Sequence, residues 1–140
     1  MSSKRKCPLM FDDSVRAFLE KPLIARLATL DSDGYPHNVP LWYLLDGSAI
    51  VMVSERTARK VRNIQVNPRG ALTIGGDTGD GAGYMIKGDI TIEEDTDKAI
   101  LRKLTFRYET RERAEELLIE WANDDIVVLR LQPTVVRKVF

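Results

Sequence analysis

Along the chain, apolar positions recur at two different spacings, and the places where the spacing changes mark the elements. Val15, Phe18 and Leu19 share one helical face behind Asp12, Asp13 and Ser14, any of which can cap a helix start, and Pro22 closes this short helix. Residues 23–30 (LIARLATL) are apolar with few breaks, and the Asp31-Ser-Asp-Gly34 cluster turns them into a second strand over 35–45. Pro36 and Pro40 cannot donate ladder hydrogen bonds, so that strand belongs at an edge, a bulge or a bend. Asp46-Gly47 leads into a third strand at 48–54.

After Ser54, Ala58, Val61 and Ile64 recur three apart and Asn67-Pro68 stops them, which predicts a short helix. Strand spacing resumes at 71–76. A glycine-rich loop, 75–83, then leads to a strand at 84–92, in which Gly88 predicts a bulge. Thr96 or Asp97 is placed to cap a helix bearing Ile100, Leu104 and Tyr108. Thr110 is placed to cap the next, with Ala114, Leu117, Leu118, Trp121 and Ala122 on one face. A last strand, 126–139, is broken at Pro133. About six strands joined mostly by hairpins, with three or four short helices, predict a mainly β, α+β fold: an antiparallel barrel with helices over its ends or seam.

At 140 residues and 44% hydrophobic content the chain fits one domain, taken as 12–140 behind a flexible tail at 1–11. Lys plus Arg and Asp plus Glu both total 21, so a zero net charge argues against a surface built for nucleic acid or anionic membrane, and any basic site is local. Cys7 and His37 are the sole residues of their kinds, which excludes an intramolecular disulfide and the usual Cys- or His-rich metal sites. A Ser-His-Asp triad would have to use His37, and no G-x-S-x-G elbow presents a serine to it. Apolar runs such as 41–45 and 49–53 are far shorter than the roughly twenty residues of a membrane span, and no apolar segment of a secretory signal follows the basic start. The expectation is a cytoplasmic protein.

The segment with most chemistry is 53–62 (VSERTARKVR). It places Arg56, Arg59, Lys60 and Arg62 at the start of a helix that follows a strand, where free N–H groups and the helix dipole favour an anion. Ser54 and Thr57 can donate to a phosphate and Arg59 and Lys60 can pair with its charge; the alternative is a solvated basic face balanced by acids elsewhere. On the proline-bent strand, alternation puts Asn38, Pro40 and Trp42 on one side and His37, Val39, Leu41 and Tyr43 on the other. One set faces the core; the other either packs or meets a planar heterocycle. The glycine loop lacks G-x-G-x-x-G spacing, and Asp77 and Asp80 would repel a phosphate.

In order and spacing these segments resemble the pyridoxamine 5'-phosphate oxidase-like family of flavin-binding split barrels, over roughly residues 12–140. The resemblance is carried by Ile24-Ala-Arg-Leu-Ala-Thr29, Asp33-Gly-Tyr-Pro-His-Asn-Val-Pro-Leu-Trp42, Ile50-Val-Met-Val-Ser54, Arg59-Lys60-Val-Arg-Asn-Ile64 with Asn67-Pro68, and the strand containing Gly88. It implies a six-stranded antiparallel split β-barrel with short flanking helices, and a homodimer with the cofactor in a cleft between subunits. The flavin phosphate would be gripped by Ser54, Arg59 and Lys60, beside Val53, and the ring lined by Asn38, Val39, Pro40, Leu41 and Trp42; Tyr84 or Trp121 could reach the partner's flavin. No catalytic side chain and no metal are implied. The arginine motif and longer C-terminal grip of the vitamin-forming oxidases have no evident counterpart, which argues against that activity. The small members include FMN-binding proteins, reductases using coenzyme F420 and haem-binding relatives. An FMN-dependent oxidoreductase is therefore expected first, with an F420-dependent reductase, Arg56 or the glycine loop receiving the coenzyme's acidic tail, or a non-catalytic flavin- or haem-binding protein as alternatives.

Overall fold

The structure, a computed structural model, describes residues 11–140. The expected tail lies outside the described residues except for Phe11, which is buried in the core. Alternation sets the sheet: in β1 (Ala25–Leu30), Ala25, Leu27 and Thr29 turn inward and Arg26 and Leu30 outward. β1 pairs antiparallel with β2 (Pro36–Leu41) on one side and β5 (Arg69–Gly75) on the other. With β6 (Gly83–Glu94), β7 (Ile126–Lys138), β4 (Ala49–Glu55) and β3 (Leu44–Asp46), the order is β2-β1-β5-β6-β7-β4-β3, antiparallel throughout.

The second predicted strand is two: Trp42 and Tyr43 interrupt it, so the sheet has seven strands where six were expected. β2 and β3 are the two edges of the sheet, yet only Trp42 and Tyr43 separate them in sequence. Three residue steps reach at most roughly 11 Å, whereas the edges of a flat sheet this wide would stand roughly 29 Å apart. The sheet must therefore curl until its edges nearly meet, with a covalent link at the gap and no ladder across it. This is a split barrel. Leu27, Ile50, Met52, Leu72, Ile74, Ile86, Leu129 and Leu131 are fully buried within it.

Gly88 marks the expected bulge. Register shifts between Lys87 and Gly88, and a Cβ at Gly88 would collide with the Gln132 carbonyl oxygen. Pro133 does not break β7; the bulge opposite Gly88 absorbs its missing N–H.

α1 (Asp13–Leu19) is capped by Asp12, whose carboxylate accepts from Val15 N–H at 2.9 Å, and it ends before Pro22. α2 is Arg59–Val66. α3 (Ala99–Tyr108) is capped neither by Thr96 nor by Asp97. The Asp95 carboxylate instead reaches past a short 3-10 turn to Ile100 and Leu101 N–H, both at 2.9 Å. Thr110 caps α4 (Arg111–Glu120), which buries Ala114 and Leu117 while Ala122 is exposed.

Candidate functional site

β4 delivers the chain directly to α2. Ser54, the last inward residue of β4, is buried, and its Oγ donates to the Glu55 carbonyl at 2.9 Å. α2 begins behind Ala58 with no side-chain cap and no acid in its first turn. Among the described residues, the Arg59 and Lys60 N–H groups find no acceptor. An uncapped start occupied by Arg59, Lys60 and Arg62 opposes the helix dipole, an arrangement that an anion would reverse.

The four cations differ in their surroundings. Arg56 is fully engaged: Nε meets Asp125 at 2.9 Å and the two Nη atoms meet Glu94 at 2.9 and 2.6 Å. Arg62 donates to the Thr57 carbonyl at 2.7 Å. Arg59 lies 3.6 Å from Asp31. Lys60 is half-buried and makes no hydrogen bond or ion pair among the described residues; burial pushes its ammonium below the ordinary lysine range, and the charge of Glu55 only partly offsets this.

On β2 the inward set is His37, Val39 and Leu41, continued by fully buried Tyr43, while Asn38 and Pro40 are exposed. Trp42 stacks on Tyr108 with centroids 5.0 Å apart and planes within 3°. The Tyr108 hydroxyl accepts from Tyr43 N–H at 3.2 Å and donates to the Leu23 carbonyl at 2.6 Å. The indole is thus held flat where the chain crosses the gap between sheet edges.

A cleft of about 520 Å³ opens there, and it brings together Pro40, Leu41, Trp42, Val53 and Ser54 of the predicted set. Leu101, from α3, and Trp121, just past α4, complete its apolar wall. Asn38 and Val39 lie further along β2, outside the cleft lining, and Lys60 stands on α2 beyond Ser54. Arg59 instead borders a second cavity of about 510 Å³ with Asp31, Arg62 and Asn63. Sequence reasoning treated Asp31 as a turn residue, gave Leu101 no role and noted Asn63 only as part of the Arg59–Ile64 motif; no local pattern shows what they meet, because Asn63 reaches Thr29 and Asp31 from far along the chain and Leu101 joins the cleft from α3. Tyr84 is buried against Phe18, ring centroids 5.4 Å apart.

Residues 11–140 match the family model described as pyridoxamine 5'-phosphate oxidase. The chain belongs to the pyridoxamine 5'-phosphate oxidase family. An F420 reductase of known structure is 25% identical, with a TM-score of 0.70 over 87% of this chain and 94% of that one. Two further structures share the family fold at lower identity. Rv2991 of Mycobacterium tuberculosis is 22% identical, with a TM-score of 0.70 over 97% of this chain and 89% of that one. The haem storage protein HutZ of Vibrio cholerae is 19% identical, with a TM-score of 0.67 over 93% and 96%. No curated protein matches the sequence.

As a member of the pyridoxamine 5'-phosphate oxidase family, the chain has the fold of a flavin-binding protein, and its side chains suit a flavin phosphate. Buried Ser54 lines an apolar cleft that also holds the stacked indole of Trp42. α2 starts shortly after Ser54 in the chain, with two N–H groups and a partly desolvated Lys60 that have no partner among the described residues. Among the described residues, no cluster of His, Cys, Asp and Glu is placed to hold a metal ion, and no helix is long and apolar enough to cross a membrane.

Proposed function

We propose that this protein is a cytoplasmic, homodimeric, FMN-dependent oxidoreductase whose flavin lies in a cleft completed by the second subunit. Ser54, Arg59, Lys60 and the first N–H groups of α2 would hold the phosphate; Asn38, Val39, Pro40, Leu41, Trp42 and Val53 would line the ring. The supporting observation is the start of α2, where an uncapped helix end meets a half-buried lysine that makes no hydrogen bond or ion pair among the described residues. Leaving such a lysine unpaired carries a desolvation cost that a bound phosphate offsets. When bound, FMN supplies the hydride or electron transfer; the chain's residues bind it, orient it and exclude water.

An absorbance spectrum of the purified protein, with mass spectrometry of whatever heat releases, tests this directly, and FMN is the expected result. Lys60→Ala is expected to weaken FMN binding by about 1–3 kcal/mol, the scale of a lost charged hydrogen bond. A colourless protein that takes up no added FMN would overturn the proposal.

A second reading, an F420-dependent reductase, draws support from the 25% identical F420 reductase. The position of Arg56 weakens it: Glu94 and Asp125 already occupy that guanidinium, so it is a poor receptor for an acidic coenzyme tail. Steady turnover with reduced nicotinamide favours the first reading and turnover with reduced F420 the second. Cofactor uptake without turnover from either donor would mark a binding protein.

A further inference from the structure

We propose that Asp31 is an internal counter-ion for Arg59 that competes with the flavin phosphate, so that this chain holds its cofactor less tightly than its basic helix start alone would. The inference rests on the proposed phosphate site and adds a control on its strength.

α2 supplies no acid to its own first turn, so the negative charge beside Arg59 comes from elsewhere in the fold, at the β1–β2 turn. The two partners are unequally held. The Asp31 side chain is 17% exposed and that of Arg59 56%, with 3.6 Å between them. Asp31 Oδ1 also accepts from Asn63 Nδ2 at 2.9 Å, and the same Nδ2 donates to Thr29 Oγ1 at 3.1 Å. Asn63 and Thr29 are both buried. The carboxylate is thus fixed by a buried amide, while the guanidinium is the part free to move. The Asn63 hydrogen bond, with a smaller contribution from the charge of Arg59, holds Asp31 below the usual carboxylate range, so the competitor is ionised at neutral pH.

Helical spacing explains why the neighbouring cation escapes. Arg59, Arg62, Asn63 and Val66 follow i, i+3, i+4 and i+7 and face the second cavity together with Asp31, whereas Lys60 lies about 100° round the helix. A phosphate at the helix start must draw Arg59 away from Asp31 and must tolerate a carboxylate nearby. Both effects weaken binding of the phosphorylated flavin alone.

Asp31→Asn tests the inference, because it removes the charge and retains an acceptor for Asn63. Dissociation constants for FMN and for riboflavin, which lacks the phosphate, are measured in the unsubstituted chain, in Asp31→Asn, in Arg59→Met and in the double variant. The expected result is FMN binding tightened about two- to fivefold in Asp31→Asn, the size a partly exposed ion pair carries, with riboflavin unchanged. That gain should vanish in the Arg59→Met background. Asp31→Ser, a second charge-removing variant, should change FMN affinity relative to riboflavin in the same direction if Asp31→Asn does not fold. Unchanged or weaker FMN binding, equal movement of both ligands, or a gain that survives Arg59→Met would each overturn it. Failure of the underlying phosphate site is recognised separately: the unsubstituted chain would then bind FMN no tighter than riboflavin, and the inference would fall with it.

Discussion

Lys60 shows what a half-buried cation costs a fold. Burial disfavours its charged form, so its pKa in the folded protein lies below the unfolded value. By linkage, a depressed lysine pKa means that the unfolded chain binds the proton more tightly, and a charged Lys60 therefore costs stability at neutral pH. That cost is relieved as pH rises through its folded value toward the ordinary value of about 10.4. Lys60→Met should accordingly raise the melting temperature of the cofactor-free protein at pH 7 while weakening FMN binding, and a calorimetric scan beside a flavin titration checks both signs. FMN affinity of the unsubstituted protein should fall as Lys60 loses its proton at alkaline pH, and the corresponding loss should be missing in Lys60→Met. The basic pair itself was legible in the sequence because both cations sit in one short segment. Their different fates were not, since Asp31 reaches Arg59 only through the packing of α2 against the β1–β2 turn.

At the scale of elements, the helix starts test how far local rules reach. Asp12 and Thr110 cap α1 and α4 as their positions suggest, each accepting from an N–H three residues on. α3 departs from the rule because Asp97 and Lys98 take positive φ, 57° and 54°, in the turn before it. That detour lets Asp95 reach two N–H groups from outside the usual capping position. Asp95→Ala should cost about 1 kcal/mol in urea unfolding, whereas Thr96→Ala should be nearly neutral. The split of the predicted second strand has a related cause: Tyr43 turns inward and sends its hydroxyl to the Leu19 and Lys21 carbonyls, at 2.9 and 3.0 Å, which ends the ladder. Burial pushes that hydroxyl well above the ordinary phenol range, so it stays a donor at all working pH values.

Over the whole molecule, Arg107 ties three elements together. From α3 it donates to the Leu19, Glu20 and Lys21 carbonyls at the C-terminal end of α1 and just past it, at 3.2, 2.9 and 2.8 Å, and its guanidinium lies 5.2 Å from the Tyr43 ring and 5.4 Å from the Tyr108 ring. It therefore supports the aromatic pair on which the cleft is built. Arg107→Met should destabilise the fold by about 1.5–3 kcal/mol, the range for hydrogen bonds to a charged group, as read from denaturant midpoints. It should also loosen the Trp42–Tyr108 stack, visible as a change in near-ultraviolet circular dichroism. Arg56 bridges Glu94 and Asp125 and pins the start of the β4–α2 segment to β6 and the approach to β7.

The succession of strands and helices along the chain (apart from the split of the second strand), the bulge at Gly88 and the basic helix start could be read from the sequence alone, because each depends on residues within a few positions of one another: side-chain period, turn chemistry, a missing Cβ, clustered charge. Closure of the sheet, the stacking of Trp42 on Tyr108, the engagement of Arg56 and the pairing of Arg59 with Asp31 were decided only by the tertiary structure. Closure depends on ladders between strands far apart in the chain, such as β4 with β7, and the side-chain pairings join residues roughly 30 to 70 positions apart in sequence; neither local propensity nor spacing encodes which distant partner a side chain will meet until the sheet curls and brings it there.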